Sequence, residues 1–114
     1  MAPDQLSAVF GALADPTRRA LLARLTEGDA TVAELAAPFE VSQPAISRHL
    51  KVLEQAGLIS RSRRATARLS HLRAGPLREA TAWLAGYREY WEAGYDRLDA
   101  LLADLQDDRR DPTD

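Results

Sequence analysis

The 114-residue chain contains no cysteine, which removes disulfides, thiol redox switching and thiolate metal ligands together. Histidine is scarce as well, with only His49 and His71. No window holds eighteen uninterrupted apolar residues, so no membrane-spanning helix is expected. The opening MAPDQLSAVF carries acid where a secretion signal needs basic residues. These absences describe a soluble, cytoplasmic protein without a membrane partner. No cysteine nucleophile, glycine-rich phosphate loop or histidine–carboxylate cluster stands at recognisable spacing. An enzyme is therefore not expected, and neither is a cofactor.

What is present is 46% apolar, enough for one small domain whose surface is large relative to its volume. A homodimer eases that shortage. The net charge of −2 looks wrong for a nucleic-acid binder until it is divided along the chain. Residues 42–73 hold six arginines and Lys51 against Glu54, a local charge of +6, and the segments on either side are acidic. A field so localised positions a protein on a polyanion instead of letting it adhere everywhere.

The basic segment opens with SQPAISRHLKVLEQAGLI, residues 42–59. Ser42 is a good N-cap, Pro44 is tolerated in the first turn, and Gly57 supplies a left-handed stop. Ile46, Leu50 and Leu53 recur at spacings of four and three and form the buried stripe of a helix over 43–56. The other face carries Gln43, Ser47, Arg48 and Lys51, with His49 at its edge. Gln and Arg pair bidentately with adenine and guanine edges, so Gln43 and Arg48 are the candidate readers of double-stranded DNA. Ser47 suits a base or a phosphate, Lys51 a phosphate, and His49 either a phosphate or packing against the turn. An ordinary solvated helix face is the competing reading.

Upstream, Asp4 caps a helix whose Leu6, Val9, Phe10 and Leu13 share one face. Asp15-Pro16 starts a second helix with Ala20, Leu21 and Leu25, ended by Gly28; Arg18 and Arg19 read as surface or salt-bridge groups. Thr31 and Glu34 have capping-box spacing and open a short third helix that Pro38 interrupts. Two short helices joined tightly, the second one basic, read as helix-turn-helix. Downstream, partial alternation over 59–72 about Arg64-Ala65-Thr66 predicts a β-hairpin, and a basic hairpin after a recognition helix is a wing. Arg61, Arg63, Arg64 and Arg68 are its candidate DNA contacts. Alternate residues face opposite ways, so not all four reach one duplex, and Arg64, nearest the tip, is the best single choice.

Gly75-Pro76 begins what reads as one long last helix of roughly 28 residues, about 42 Å. Its stripe includes Leu84, Tyr87, Trp91, Tyr95, Leu98 and Leu102, near the 3.5 period, with Gly86 and Gly94 as weak points. Part of that stripe must meet another chain. Trp83, Tyr87, Tyr90, Trp91 and Tyr95 are also where an effector of unidentified chemistry is to be sought, although an aromatic dimer core is the commoner meaning. The single domain spans 1–105, and 106–114 read as a disordered acidic tail.

The run ALADPTRRALLARL, then VAELAAPFEVSQPAISRHLKVLEQAGLISRSR and WLAGYREYWEAGYDRLDALL, resembles the ArsR/SmtB family of dimeric winged-helix bacterial repressors. The resemblance covers about residues 5–105. It implies a mostly α winged helix-turn-helix with a small β-hairpin. It places the dimer interface on the first and last helices, hence on Leu6, Val9, Phe10, Leu84, Tyr87, Trp91, Tyr95, Leu98 and Leu102. It implies DNA contact through Ser42, Gln43, Pro44, Ser47, Arg48, His49 and Lys51, with the wing arginines beside them. Metal sites of the family use cysteines near the third helix or Asp, His and Glu on the last helix. This chain has no cysteine and neither histidine lies on that helix, so no metal is expected. The functional expectation is a homodimeric repressor on a palindromic operator. The alternative is a winged-helix dimer that has become a protein-interaction module.

Overall fold

A computed structural model describes residues 5–64 and 66–109. The chain forms two compact units that divide between Ala80 and Thr81, and each is built on its own logic.

The first unit starts with α1 (Gln5–Leu13) and α2 (Pro16–Leu25). Asp4, the expected cap of α1, lies outside the described residues. Asp15 caps α2 as expected, its carboxylate accepting from the Arg18 N–H at 3.0 Å. On α2 the buried residues are Leu21, Leu22 and Leu25, while Ala20, expected on that face, is exposed. Val9 corrects the expectation of a dimer contact: it is 1% exposed, sealed in the core of its own chain with Ala12. Leu6 and Phe10 pack partly buried against the same core.

After α2 comes β1 (Ala30–Thr31), then α3 (Val32–Ala36), α4 (Gln43–Gln55), β2 (Ile59–Arg64) and β3 (Ala67–Leu72). The predicted capping box is present. The Glu34 N–H donates to the Thr31 hydroxyl at 3.2 Å, and the Thr31 N–H donates to the Glu34 carboxylate at 2.9 Å. The hairpin is found in register from Ile59↔Leu72 to Arg64↔Ala67. Its expected turn centres on Ala65, which lies outside the described residues. The sheet is wider than the sequence suggested. It is three-stranded, in the order β1-β3-β2, because Ala30 and Thr31 pair antiparallel with Ser70 and Leu69. Two residues are too few for alternation to show. Leu35, Ile46, Leu50, Leu53 and Leu58 are fully buried, so the core sits between the helices and the inner face of the sheet.

α5 (Gly75–Ala85) runs across the division and α6 (Arg88–Arg109) follows. The single long last helix is therefore corrected to two. At the break the Gly86 and Tyr87 N–H groups donate three residues back, to the Trp83 and Leu84 carbonyls at 3.1 and 3.0 Å. Tyr87 sets its ring edge-on to Trp83 at 5.3 Å, and its carbonyl accepts from Tyr90 and Trp91 to start α6. Glycine costs a helix interior about 1 kcal/mol, and the break falls at one of the two expected weak points while Gly94 stays inside α6. α6 carries the helix through Gln106 to Arg109, into the stretch read as tail, and 110–114 lie outside the described residues. Among the described residues no helix is long and apolar enough to cross a membrane.

Candidate nucleic-acid interface

α4 is fixed at both ends by local chemistry. The Ser42 hydroxyl accepts from the Ala45 N–H at 3.3 Å, and proline occupies the first turn. At the other end Gly57 adopts φ +80°. Its N–H donates to the Glu54 carbonyl at 3.0 Å while the Leu58 N–H reaches the Leu53 carbonyl at 2.9 Å. That pair of bonds is a Schellman cap, and Leu53 and Leu58 are its buried apolar contact. Ile46, Leu50 and Leu53 hold the helix by its inner stripe at 0% exposure. With start, stop and roll angle set, the outer face is determined. Gln43, Pro44, Arg48 and Lys51 are exposed there, and Ser47 is half-buried at its margin. Val52, 37% exposed on the same side, escaped the sequence reading.

His49 is held apart from that face. Its Nδ1 lies 3.3 Å from Arg18 Nη1 and 3.9 Å from the Asp15 carboxylate. Arg18 and Arg19, read from the sequence as surface or salt-bridge groups, also close the end of α1: Arg19 is exposed as expected and Arg18 is half-buried. Arg18 donates through Nε to the Ala12 carbonyl at 2.7 Å and through Nη2 to the Gly11 carbonyl at 3.1 Å. Arg19 donates to the Leu13 carbonyl at 2.6 Å. The signal that could have found this is an arginine pair following an Asp-Pro helix start, within one turn of the preceding helix's unpaired carbonyls.

The hairpin sorts its arginines by register. Arg61 is opposite Ser70 and Arg63 opposite Arg68, so Arg61, Arg63 and Arg68 share one face, and Arg64, opposite Ala67, belongs to the other. Arg63, Arg64 and Arg68 are exposed. Arg61 is half-buried at the root of the wing, in a hollow it shares with Gln5, Glu54 and Arg73. Its Nε is buried with no hydrogen-bond partner among the described residues. Burial, then repulsion from Arg68, pushes its guanidinium below the ordinary value, with Glu54 opposing. The structure thus brings Gln43, Pro44, Ser47, Arg48 and Lys51 onto one face, sets His49 on its flank, and divides the wing candidates between two.

The model of the bacterial regulatory protein arsR family matches residues 15–61, the span from the Asp15 cap to the wing root. The transcriptional repressor SdpR of Bacillus subtilis is 38% identical over 79 residues, covering 69% of this chain and 88% of that protein. The chain belongs to the ArsR family. It is accordingly a DNA-binding transcription regulator of winged helix-turn-helix form, not an enzyme.

The crystal structure of an ArsR family transcriptional regulator shares 43% identity, with a TM-score of 0.72 over 81% of this chain and 95% of that one. A winged helix-turn-helix domain of Mycobacterium bovis, described as homodimeric, has the same fold at 24% identity. Its TM-score is 0.62, over 79% of this chain and 84% of that one. In this ArsR-family chain the second unit leaves an apolar row uncovered. Trp91, Tyr95, Leu98, Leu102 and Leu105, spaced four and three apart, are 46 to 65% exposed. Tyr87 is 48% exposed at the head of the row and Leu84 is half-buried. Beside it Thr81, Leu84, Arg88, Trp91 and Tyr95 line an apolar hollow of about 580 Å³. Among the described residues no three His, Asp or Glu side chains converge as metal ligands would.

Proposed function

We propose that the chain is a homodimeric transcriptional repressor that occupies a palindromic operator in the cytoplasm, with 1–105 acting as one DNA-binding and dimerisation domain. The observation that carries this is the outer face of α4. Gln43, Arg48 and Lys51 stand exposed on a helix whose two ends and inner stripe are fixed, and no acid interrupts them before Glu54. Arg48 and Gln43 read base edges, while Ser42, Ser47 and Lys51 meet the backbone near Pro44. The wing adds phosphate contacts through Arg63, Arg64 and Arg68, with Arg61 anchoring its root. The four-three spacing from Trp91 to Leu105 is that of a coiled-coil seam, which supports pairing with a second copy through α6, with Leu6 and Phe10 of α1 alongside. An effector of small, apolar or aromatic character would occupy the hollow at the head of α6.

The test is fluorescence anisotropy on labelled DNA from the protein's own promoter, beside random DNA, at several salt concentrations. Binding that weakens steeply with salt and is about a thousandfold weaker on random sequence is the expected result. A folded, dimeric protein that binds neither DNA at low salt would overturn the reading and leave the basic face as a protein-docking surface.

A further inference from the structure

Arg18 joins three elements with one side chain. Nε and Nη2 take the last carbonyls of α1, and Nη1 takes Nδ1 of His49 on α4, thirty-one residues away in sequence. A guanidinium has five N–H donors and no acceptor. For the guanidinium to donate into the 3.3 Å contact, Nδ1 of His49 has to present its lone pair, which is the tautomer with the ring proton on Nε2. The Asp15 carboxylate, at ion-pair distance 3.9 Å from the same nitrogen, favours the opposite state, and the nearer Arg18 guanidinium opposes it. His49 also lies on the flank of α4 away from the candidate readers, one residue step or roughly 100° round the helix from Arg48. Its side chain is 25% exposed, in the corner where α1 gives way to α2.

Resting on the repressor reading, we propose that Arg18 and His49 are positioning residues for operator recognition: the guanidinium pins the recognition helix to the end of α1 through a neutral, Nε2-protonated His49 that does not itself touch DNA. The inner stripe of Ile46, Leu50 and Leu53 sets which side of α4 is buried. Apolar contacts alone permit small rotations and slides along that stripe, and a directional bond on the flank removes them. Gln43 and Arg48 depend on that restriction, because bidentate pairing with base edges is geometrically demanding, whereas phosphate contacts by flexible cations are not.

The experiment combines operator binding with NMR of the imidazole. In the free wild-type protein, long-range 15N–1H spectra should show His49 with Nδ1 unprotonated and Nε2 protonated at neutral to mildly alkaline pH; protonated Nδ1 would overturn the assignment. His49→Leu, which keeps bulk but offers no acceptor, should weaken operator binding about fivefold, the loss of one ordinary hydrogen bond. Binding to random DNA and the salt slope should not change. His49→Gln, whose amide oxygen can accept from Arg18, should recover most of the operator affinity. In an Arg18→Met background, His49→Leu should cost nothing further. Equal weakening on operator and random DNA would make His49 a backbone contact and sink the proposal, as would additive effects of the two changes. Should Arg18→Met fail to fold, the pair His49→Leu and His49→Gln still decides. Wild-type protein that binds neither DNA would overturn the repressor reading, and with it a role in operator recognition, whatever the imidazole spectrum shows.

Discussion

Arg63 and Arg68 stand directly opposite one another across the β2–β3 ladder, both exposed, so two guanidinium groups repel at the outer half of the wing. Like charges in that position destabilise a sheet by up to about 1 kcal/mol. Arg68→Ser should therefore raise the urea midpoint of the free protein while weakening binding to all DNA. The slope of log affinity against log salt should flatten by about 0.9 for each phosphate that is no longer neutralised. A variant that neither gains stability nor flattens the slope would show that the pair is screened and unused.

Arg48 presents the longest donor on the exposed face of α4. Arg48→Ala should cost about 1–3 kcal/mol on operator DNA and much less on random DNA, relaxing preference at one base pair. Competition anisotropy with single-base operator variants checks this. An unchanged operator-to-random ratio would remove Arg48 from the readers.

Leu50 is fully buried on the inner stripe of the same helix. Leu50→Ala should lower stability by about 2–5 kcal/mol through reduced apolar burial and the cavity left behind. Chemical denaturation measures it directly. The cost should be the same with or without DNA-facing substitutions, since the two faces do not share partners.

Two carboxylates link stability to pH. The backbone N–H of Arg18 holds the Asp15 carboxyl below its ordinary value, and the N–H and hydroxyl of Thr31 do the same for Glu34. Over the acid range the folded chain then binds fewer protons than the unfolded one. The stabilisation is complete above the ordinary carboxylate range and is lost as pH falls through the lowered folded values. Denaturation midpoints should drop with acidification, and Asp15→Asn with Glu34→Gln should flatten that dependence.

Much of this was legible because it is local. Ser42, Thr31 and Gly57 act on backbone groups within a few residues, so spacing alone locates the helix ends, and the four-three recurrence of Ile46, Leu50 and Leu53 identifies the stripe. Periodicity says which face is apolar but not what covers it, which is why Val9 looked available to a partner and is sealed in its own core. Gly86 was visible as a weak point. Its propensity cost alone does not decide a break, which is made together with the Trp83–Tyr87 ring contact. Membership of β1 depends on a partner forty residues away, and the reach of Arg18 to His49 on one thirty-one away. Neither leaves a trace in a short window.

Thr31 belongs to two structures at once, as the last residue of β1 paired with Leu69 and as the N-cap of α3. No residue separates β1 from α3, so Thr31 joins the root of the wing to the helix pair. Displacing the wing root at Leu69 and Ser70 would have to break the capping box or strip β1 from the sheet. The joint between sheet and helix pair is thus fixed in the free chain, and on the repressor reading it leaves little ordering entropy to be lost there on docking. Adaptation to a new target sequence then has to proceed by exchanging side chains on this frame, because lengthening the joint would unmake both of the elements it connects.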